Sequence, residues 1–419
     1  MKTDVCIIGA GPAGLMAAIH AAAENASVLL VERNATAGRK LLLTGGGRCN
    51  FTHAGGPEEI AKTFGKAGRF LRHSLYELPP QDVREFFHAR GLASTAEPGG
   101  CVFPISNRAA DVRDILVAEA ESPGVRFLYE SPVQDIAAHG SGFVVRSKGQ
   151  EIAASHVIIA TGGISWPQTG STGDGYHFAA RLGHTVVPPR PALVPLVTRE
   201  TWPGELAGVS VPDVRMRATT SEHKCTSTGA MLFTQRGLGG PAAQDLSRFL
   251  TDEVSQGTSI PIEISLLPQL NEPQLDRKLQ QALQAHPKKA VANVLSEFVP
   301  RQLAHVLCRL AKCDPDGEAG QLPADKRKRI VGTIEKLPLS VTGAEPIAKA
   351  TVTQGGVSRS EIDPRTMESK IRPGLFFAGE VIDLDGPCGG YNLQMCWSTG
   401  AVAGRSATRP LPAANAQAQ

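Results

Sequence analysis

The chain has 419 residues, of which 42% are apolar and 20% charged, with a formal net charge of +3. That length exceeds one ordinary core and predicts two or three domains, and the near-neutral charge neither requires nor excludes an anionic partner. No run of 18 apolar residues occurs, so no membrane span is expected. The first strand begins near Thr3, which leaves no room for a signal peptide and makes a cytoplasmic location the expectation. Eight cysteines without CxxC spacing argue against zinc sites and a disulfide framework.

In chain order, residues 3–32 read as strand, turn, helix and strand: an apolar run from Asp4, then GAGPAG, an alanine-rich helix, and a second apolar run ending at Glu32. A helix is expected over 110–121. Four strand-like pieces follow, at 125–130, 133–138, 143–147 and 151–161, and suggest a small antiparallel meander. Prolines around Val187 mark a change of character, and the chain then reads as β-rich to about Leu267. Helical periodicity runs over 273–312. Strand and turn signals return from about Gly343, and a helix is expected from Leu393 to Arg405.

Gly9, Gly11 and Gly14 form GxGxxG between a strand and a helix, with Glu32 ending the next strand. Gly9 permits the tight turn, Gly11 lets backbone approach a pyrophosphate, and Gly14 allows close packing of helix on strand. Pro12 and Ala13 lie between them, at a helix start whose free N–H groups suit phosphate. Glu32 is placed to accept from ribose hydroxyls. A second glycine-rich turn, Gly237–Ala242, contains Pro241 and is not followed by a βαβ unit, so it reads as structural. No separate NAD(P)H domain is seen.

After Glu32 the chain runs into GRKLLLTGGGRCN (38–50), and it carries TQGGVSRSEIDPRTMESK (353–370) and PGLFFAGEVIDLDGPCGGYNLQMCWSTG (373–400). These segments, in this order, resemble those of the YhiN-like conserved flavoproteins within the two-dinucleotide-binding superfamily, from residue 3 to about 405. The resemblance implies an α/β fold: a discontinuous Rossmann-type FAD domain (1–190 and 345–408) with an inserted β-rich domain (191–267 and 320–344) and a small helical subdomain (268–319). Residues 409–419 would be a disordered tail. FAD contacts are expected at Gly9, Gly11, Pro12, Ala13, Gly14, Glu32, Arg33, Arg39, Lys40, Arg48, Asn50 and Val133. Others are expected at Thr161, Gly162, Gly163, Gly379, Glu380, Gly389, Gly390, Tyr391, Asn392 and Leu393. Cys388 departs from the family loop, where threonine is expected.

The family association is with reduction of activated carbon–carbon double bonds by FAD, NAD(P)H serving as a transient reductant. One branch acts on bile-acid-like enones and another converts uridine of large-subunit ribosomal RNA to dihydrouridine. Cys49 is the candidate proton donor, or else a small buried residue. It stands alone, without the second cysteine a disulfide reductase needs. Cys388 and Cys396 are weaker candidates for chemistry. The basic run Lys326, Arg327, Lys328 and Arg329, with Lys288, Lys289 and Arg301, is the candidate RNA contact, or a solvated helix face. A non-catalytic FAD-binding protein is the competing class, and an FAD-dependent oxidase a third.

Overall fold

The structure, a computed structural model, describes residues 1–121, 124–222 and 224–410. The tail expected over 409–419 lies, from residue 411, outside the described residues. The chain divides into two compact units, one of Met1–Pro189 with the segment from Val352 onward, the other Arg190–Thr351.

The first unit opens with β1 (Lys2–Ile8), α1 (Pro12–Ala23) and β2 (Val28–Val31). Then come β3 (Thr52–His53), α2 (Pro57–Thr63), α3 (Gly68–Glu77), α4 (Pro80–His88), β4 (Ser94–Ala96), β5 (Cys101–Pro104) and α5 (Ala109–Ala120). Next are β6 (Val125–Leu128), β7 (Val133–His139), β8 (Gly142–Ser147), β9 (Gln150–Ile159) and α6 (Asp174–Arg181), and β10 (Val186–Ala192) leads out.

The second unit contains β11 (Leu196–Thr198), β12 (Ser210–Thr219), β13 (Lys224–Thr234), β14 (Gly237–Gly239), α7 (Gly240–Ser255) and β15 (Ile260–Ser265). It continues with α8 (Glu272–Ala285), α9 (Val291–Leu295), α10 (Arg301–Leu310), α11 (Ala324–Glu335) and β16 (Leu337–Ala344). Its strands close into a six-stranded barrel, order β11-β14-β13-β12-β15-β16, which removes every sheet edge. Leu275, Leu279, Leu283 and Leu303 of the helices share one apolar core with Met216, Leu246 and Ile262. The helical stretch is therefore packed into the barrel's unit rather than set apart with a core of its own. One helix lies where a β-rich run was expected: α7, whose Leu246, Leu250 and Val254 repeat every four residues. Pro241 is compatible with it because it falls in the first turn, where no intrahelical N–H is needed.

The chain returns through β17 (Val352–Val357), β18 (Leu375–Phe377) and α12 (Tyr391–Ser406). The first unit's sheet has the order β6-β2-β1-β9-β8-β7, with β18 also on β9. β1 is parallel to β2 and β9, so Val5–Ile8 are covered on both sides and read as an unbroken apolar run. The antiparallel meander has three strands and not the four expected. β6 joins the parallel sheet beside β2, pairing Val125 with Val28, and only β7, β8 and β9 run antiparallel. α12 lies against α1 at very short range. A Cβ on Gly400 or Gly404 would come within 2.4 and 2.3 Å of the Ala13 and Ala17 carbonyl oxygens. That contact fixes where the start of α12 sits.

Candidate functional site

The three fingerprint glycines do different work. Gly9 has φ +101°, and a Cβ there would lie 2.7 Å from the Ala160 carbonyl oxygen; one on Gly14 would lie 1.9 Å from the Gly9 carbonyl oxygen. These two are demanded by packing. Gly11 meets nothing within 4 Å, so its face is open. It is the N-cap of α1 and has no side-chain cap, which leaves amides of the first turn directed at that space.

Glu32 is buried and ties the turn together. Its Oε2 accepts from Ala10 N at 2.8 Å, and its Oε1 accepts from Asn34 N at 2.8 Å and Asn34 Nδ2 at 2.7 Å. An ionised carboxylate has about four acceptor positions, so one remains for a hydroxyl. Arg33 pairs with Asp174 at 2.9 Å, and Arg39 donates to Asn34 Oδ1 at 2.9 Å. Both are engaged on this rim of the turn. Residues 130 and 131 run alongside, Glu130 N donating to the Asn34 carbonyl and Ser131 N to that of Glu32, and deliver Val133 buried at the start of β7.

Four distant segments converge at Glu380. Its Oε2 is 2.8 Å from Lys40 Nζ, and its Oε1 accepts from Thr353 N at 2.8 Å. Lys40 also donates to Ser165 Oγ at 2.6 Å, and Thr353 Oγ1 accepts from Ile164 N and Ser165 N at 2.9 and 3.2 Å. Gly163 is required there, since a Cβ would fall 2.3 Å from Thr353 Oγ1. Ser165 and Thr353 were not singled out in the sequence, although Thr353 opens the TQGG segment. Gly379, at φ +75°, passes so close to α1 that a Cβ would be 2.7 Å from Ala13 Cβ.

The GGGRCN segment is a tight loop, with Gly45, Gly46, Gly47 and Cys49 all at positive φ. It is fastened to α12. Trp397 Nε1 donates to the Phe51 carbonyl at 2.7 Å, and a Cβ on Gly390 would lie 2.3 Å from the Thr52 carbonyl oxygen. Asn50 accepts from Val102 N at 3.1 Å. Asn392 closes its own loop, accepting from Gly386 N at 2.8 Å and donating to the Gly386 carbonyl at 2.9 Å. The 16-residue α12 starts behind Gly390 without a side-chain cap, so its positive end is open, with Leu393 half-buried in its first turn. Arg48 stacks 3.9 Å over Phe103 and pairs with Glu97 at 2.7 Å, an engagement with its own loop.

A pair that the sequence did not reveal stands beside this loop. The rings of His53 and Tyr391 stack with centroids 4.5 Å apart, next to Gly389. His53 Nδ1 accepts from Gly55 N at 3.2 Å, which assigns the ring proton to Nε2, 2.9 Å from the Gly99 carbonyl oxygen. Cys49 is fully buried, and burial pushes its thiol up to about 12. The Cys396 thiol is likewise pushed up to about 12 by burial.

The residues fit a flavin dinucleotide. Gly11, Gly46 and Gly162 face space in which a Cβ would touch nothing. Beside Gly9, the buried Thr161 Oγ1 has no hydrogen-bond partner among the described residues, and neither has the buried Tyr176 hydroxyl, whose pKa is raised by burial and then by Glu380 and Asp383. The Ser74, Ser227 and Thr251 hydroxyls are also unpaired among the described residues, so what marks Thr161 and Tyr176 is their place near Gly9 and Glu380.

The sequence matches the HI0933-like protein Rossmann domain family over residues 3–406. The chain belongs to that family. As a member of the HI0933-like family it is a flavin-dependent oxidoreductase. It is 33% identical to a ribosomal RNA dihydrouridine synthase of Escherichia coli strain K12, across 95% of this chain and 96% of that protein. It is 32% identical to a 3-dehydro-bile acid delta(4,6)-reductase of Clostridium scindens, across 96% and 98%. Among solved structures, a 3-ketosteroid delta1-dehydrogenase of Sterolibacterium denitrificans shares the fold, with a TM-score of 0.52 over 97% of this chain and 99% of that one at 14% identity. No helix among the described residues of this HI0933-like chain is long and apolar enough to cross a membrane.

Proposed function

We propose that this chain uses FAD and NAD(P)H to reduce the carbonyl-conjugated double bond of a uracil ring in ribosomal RNA, giving dihydrouridine. The observation that carries the cofactor half is the cradle itself: the open Gly11 at the strand–turn–helix start, with open glycines at Gly46 and Gly162 and orphaned hydroxyls at Thr161 and Tyr176 on other segments of the same unit. Bound there, FAD supplies two-electron hydride chemistry. The protein's part is to hold and polarise. The first-turn amides of α1 and the open acceptor position of Glu32 hold the dinucleotide's pyrophosphate and ribose. Lys40 and Glu380 fix a charged pair in the half-buried centre, and the uncapped start of α12 favours negative charge nearby. Thr161, Gly162, Gly379, Gly389 and Gly390 shape the remaining wall.

Reduction of a conjugated double bond needs a hydride and a proton. Cys49, sealed and with its pKa raised, is not the donor in this reading, and the proton is drawn from water. RNA is supported as the acceptor by the 33% identical relative named for that reaction. A second reading, reduction of a small hydrophobic enone, is supported by the 32% identical bile-acid reductase. Mixing the reduced protein with each acceptor under anaerobic conditions separates them. Flavin reoxidation by ribosomal RNA with dihydrouridine formed supports the first reading, and reoxidation by the enone alone supports the second.

A further inference from the structure

The basic run Lys326–Arg329 is largely spent inside the second unit. Arg327 makes a two-pronged pair with Asp276, at 2.8 and 3.2 Å, Arg329 lies 3.7 Å from Asp325, and Lys326 donates to the Lys312 carbonyl. Only Lys328 of the four has no hydrogen-bond or ion-pair partner among the described residues. Of the run read as a contact surface, Lys326 and Arg327 fasten α11 to its neighbours and Arg329 pairs within α11 itself.

Free positive charge lies elsewhere in the same unit. A cleft of about 310 Å³ opens on the outer face of the barrel, lined by Arg215 and Arg217 of β12, Ser265, the 268–271 loop, Gln274 and Glu335. Val214, Met216 and Ala218 point into the barrel core, so Arg215 and Arg217 alternate outward. Two residues apart on a strand, they stand roughly 6.5 Å from each other. Neither guanidinium has a hydrogen-bond or ion-pair partner among the described residues. That holds although Glu335 shares the cleft and Glu263 sits opposite Arg217 in the sheet.

The surroundings extend the charge. Arg277 and Lys278, three and four residues after Gln274, share its helix face, are exposed and have no such partner; Lys336 follows Glu335 and is also exposed. Asn271 and Gln274 satisfy each other in a capping box, so the start of α8 is occupied by its own side chains and the arginines are the free donors of the cleft. Pro268 and Leu270 are the apolar members of the lining, which suits an anionic, hydrogen-bonding ligand and not a hydrocarbon one.

We propose that this cleft is a phosphodiester-binding subsite that grips the backbone of the RNA substrate through Arg215 and Arg217. It rests on the reading of the chain as an RNA-reducing enzyme. Arginine suits phosphate recognition because its planar fork matches two phosphate oxygens and keeps its charge at any working pH.

The test measures binding of a fluorescent single-stranded oligouridylate to the holoprotein over a salt series. R215A/R217A is compared with wild type and with K62A/K66A, which removes equal charge from exposed lysines of the first unit that have no partner among the described residues. Flavin content and melting temperature verify folding. The expected result is a loss of about tenfold or more for R215A/R217A, with the log–log salt slope shallower by about 1.4, and little change for K62A/K66A. Equal affinity and slope in R215A/R217A and wild type would overturn the subsite, as would an equal loss in K62A/K66A. If wild type forms dihydrouridine while R215A/R217A binds normally, the subsite fails and the enzyme reading stands. If R215A/R217A shows the expected loss while wild type forms no dihydrouridine, the reaction reading fails and the subsite stands. Absence of any binding by wild type overturns the subsite.

Discussion

Lys40 and Glu380 lie 340 positions apart in the chain, yet their ammonium and carboxylate meet at 2.8 Å, with 23% and 12% of the side chains exposed. The pair joins the loop after β2 to the segment after β18, and Thr353 and Ser165 complete it. A pair this enclosed keeps much of its Coulomb energy, and removing one partner strands the other.

K40M should therefore destabilise the holoprotein by about 1–3 kcal/mol, below the fully buried range because water still reaches Lys40. K40M/E380Q should lose less than the two single variants added together. Urea unfolding of all four proteins gives the coupling, and strictly additive losses would show that the pair is not acting as a unit.

The fingerprint glycines should separate in experiment. G14A places a methyl 1.9 Å from the Gly9 carbonyl oxygen and should lower the melting temperature or prevent folding. G11W projects into open space, so it should give folded protein without bound flavin. Retained stoichiometric flavin in G11W would contradict the assignment of that space to the dinucleotide.

The Cys6, Cys49 and Cys396 thiols are pushed up from an ordinary 9.0 to about 12 by burial. In the folded state they keep protons that an unfolded chain surrenders above pH 9. Their contribution to stability is complete below pH 9 and declines as pH rises from 9 towards 12. Urea midpoints should fall over that window, and C49A should flatten the fall. C49A should also keep turnover within a few-fold of wild type; loss of turnover with flavin still bound would restore Cys49 as a proton donor.

What was legible in the sequence was local. Gly9, Gly11, Gly14 and Glu32 sit within one strand–turn–helix–strand, where spacing alone defines the geometry. The Glu380 cluster was half legible, because Lys40, Ser165 and Thr353 reach it from three other segments and spacing says nothing about convergence. The His53–Tyr391 stack was hidden for the same reason. α7 was missed because Gly237–Ala242 reads as a turn, whereas Gly237–Gly239 form β14 and Gly240–Ala242 already open the helix. Counting charge in Lys326–Arg329 could not reveal that Asp276 and Asp325 take up both of its arginines, whereas the isolated Arg215 and Arg217 gave no run to notice.

The most direct test of the account is a single anaerobic mixing experiment. Holoprotein reduced with NAD(P)H and freed of excess reductant is mixed with a uridine-containing fragment of large-subunit ribosomal RNA, and flavin absorbance and dihydrouridine are followed together. The account predicts reoxidation of the flavin with one dihydrouridine formed per flavin. A flavin that stays reduced in the presence of RNA, with no dihydrouridine formed, would contradict it.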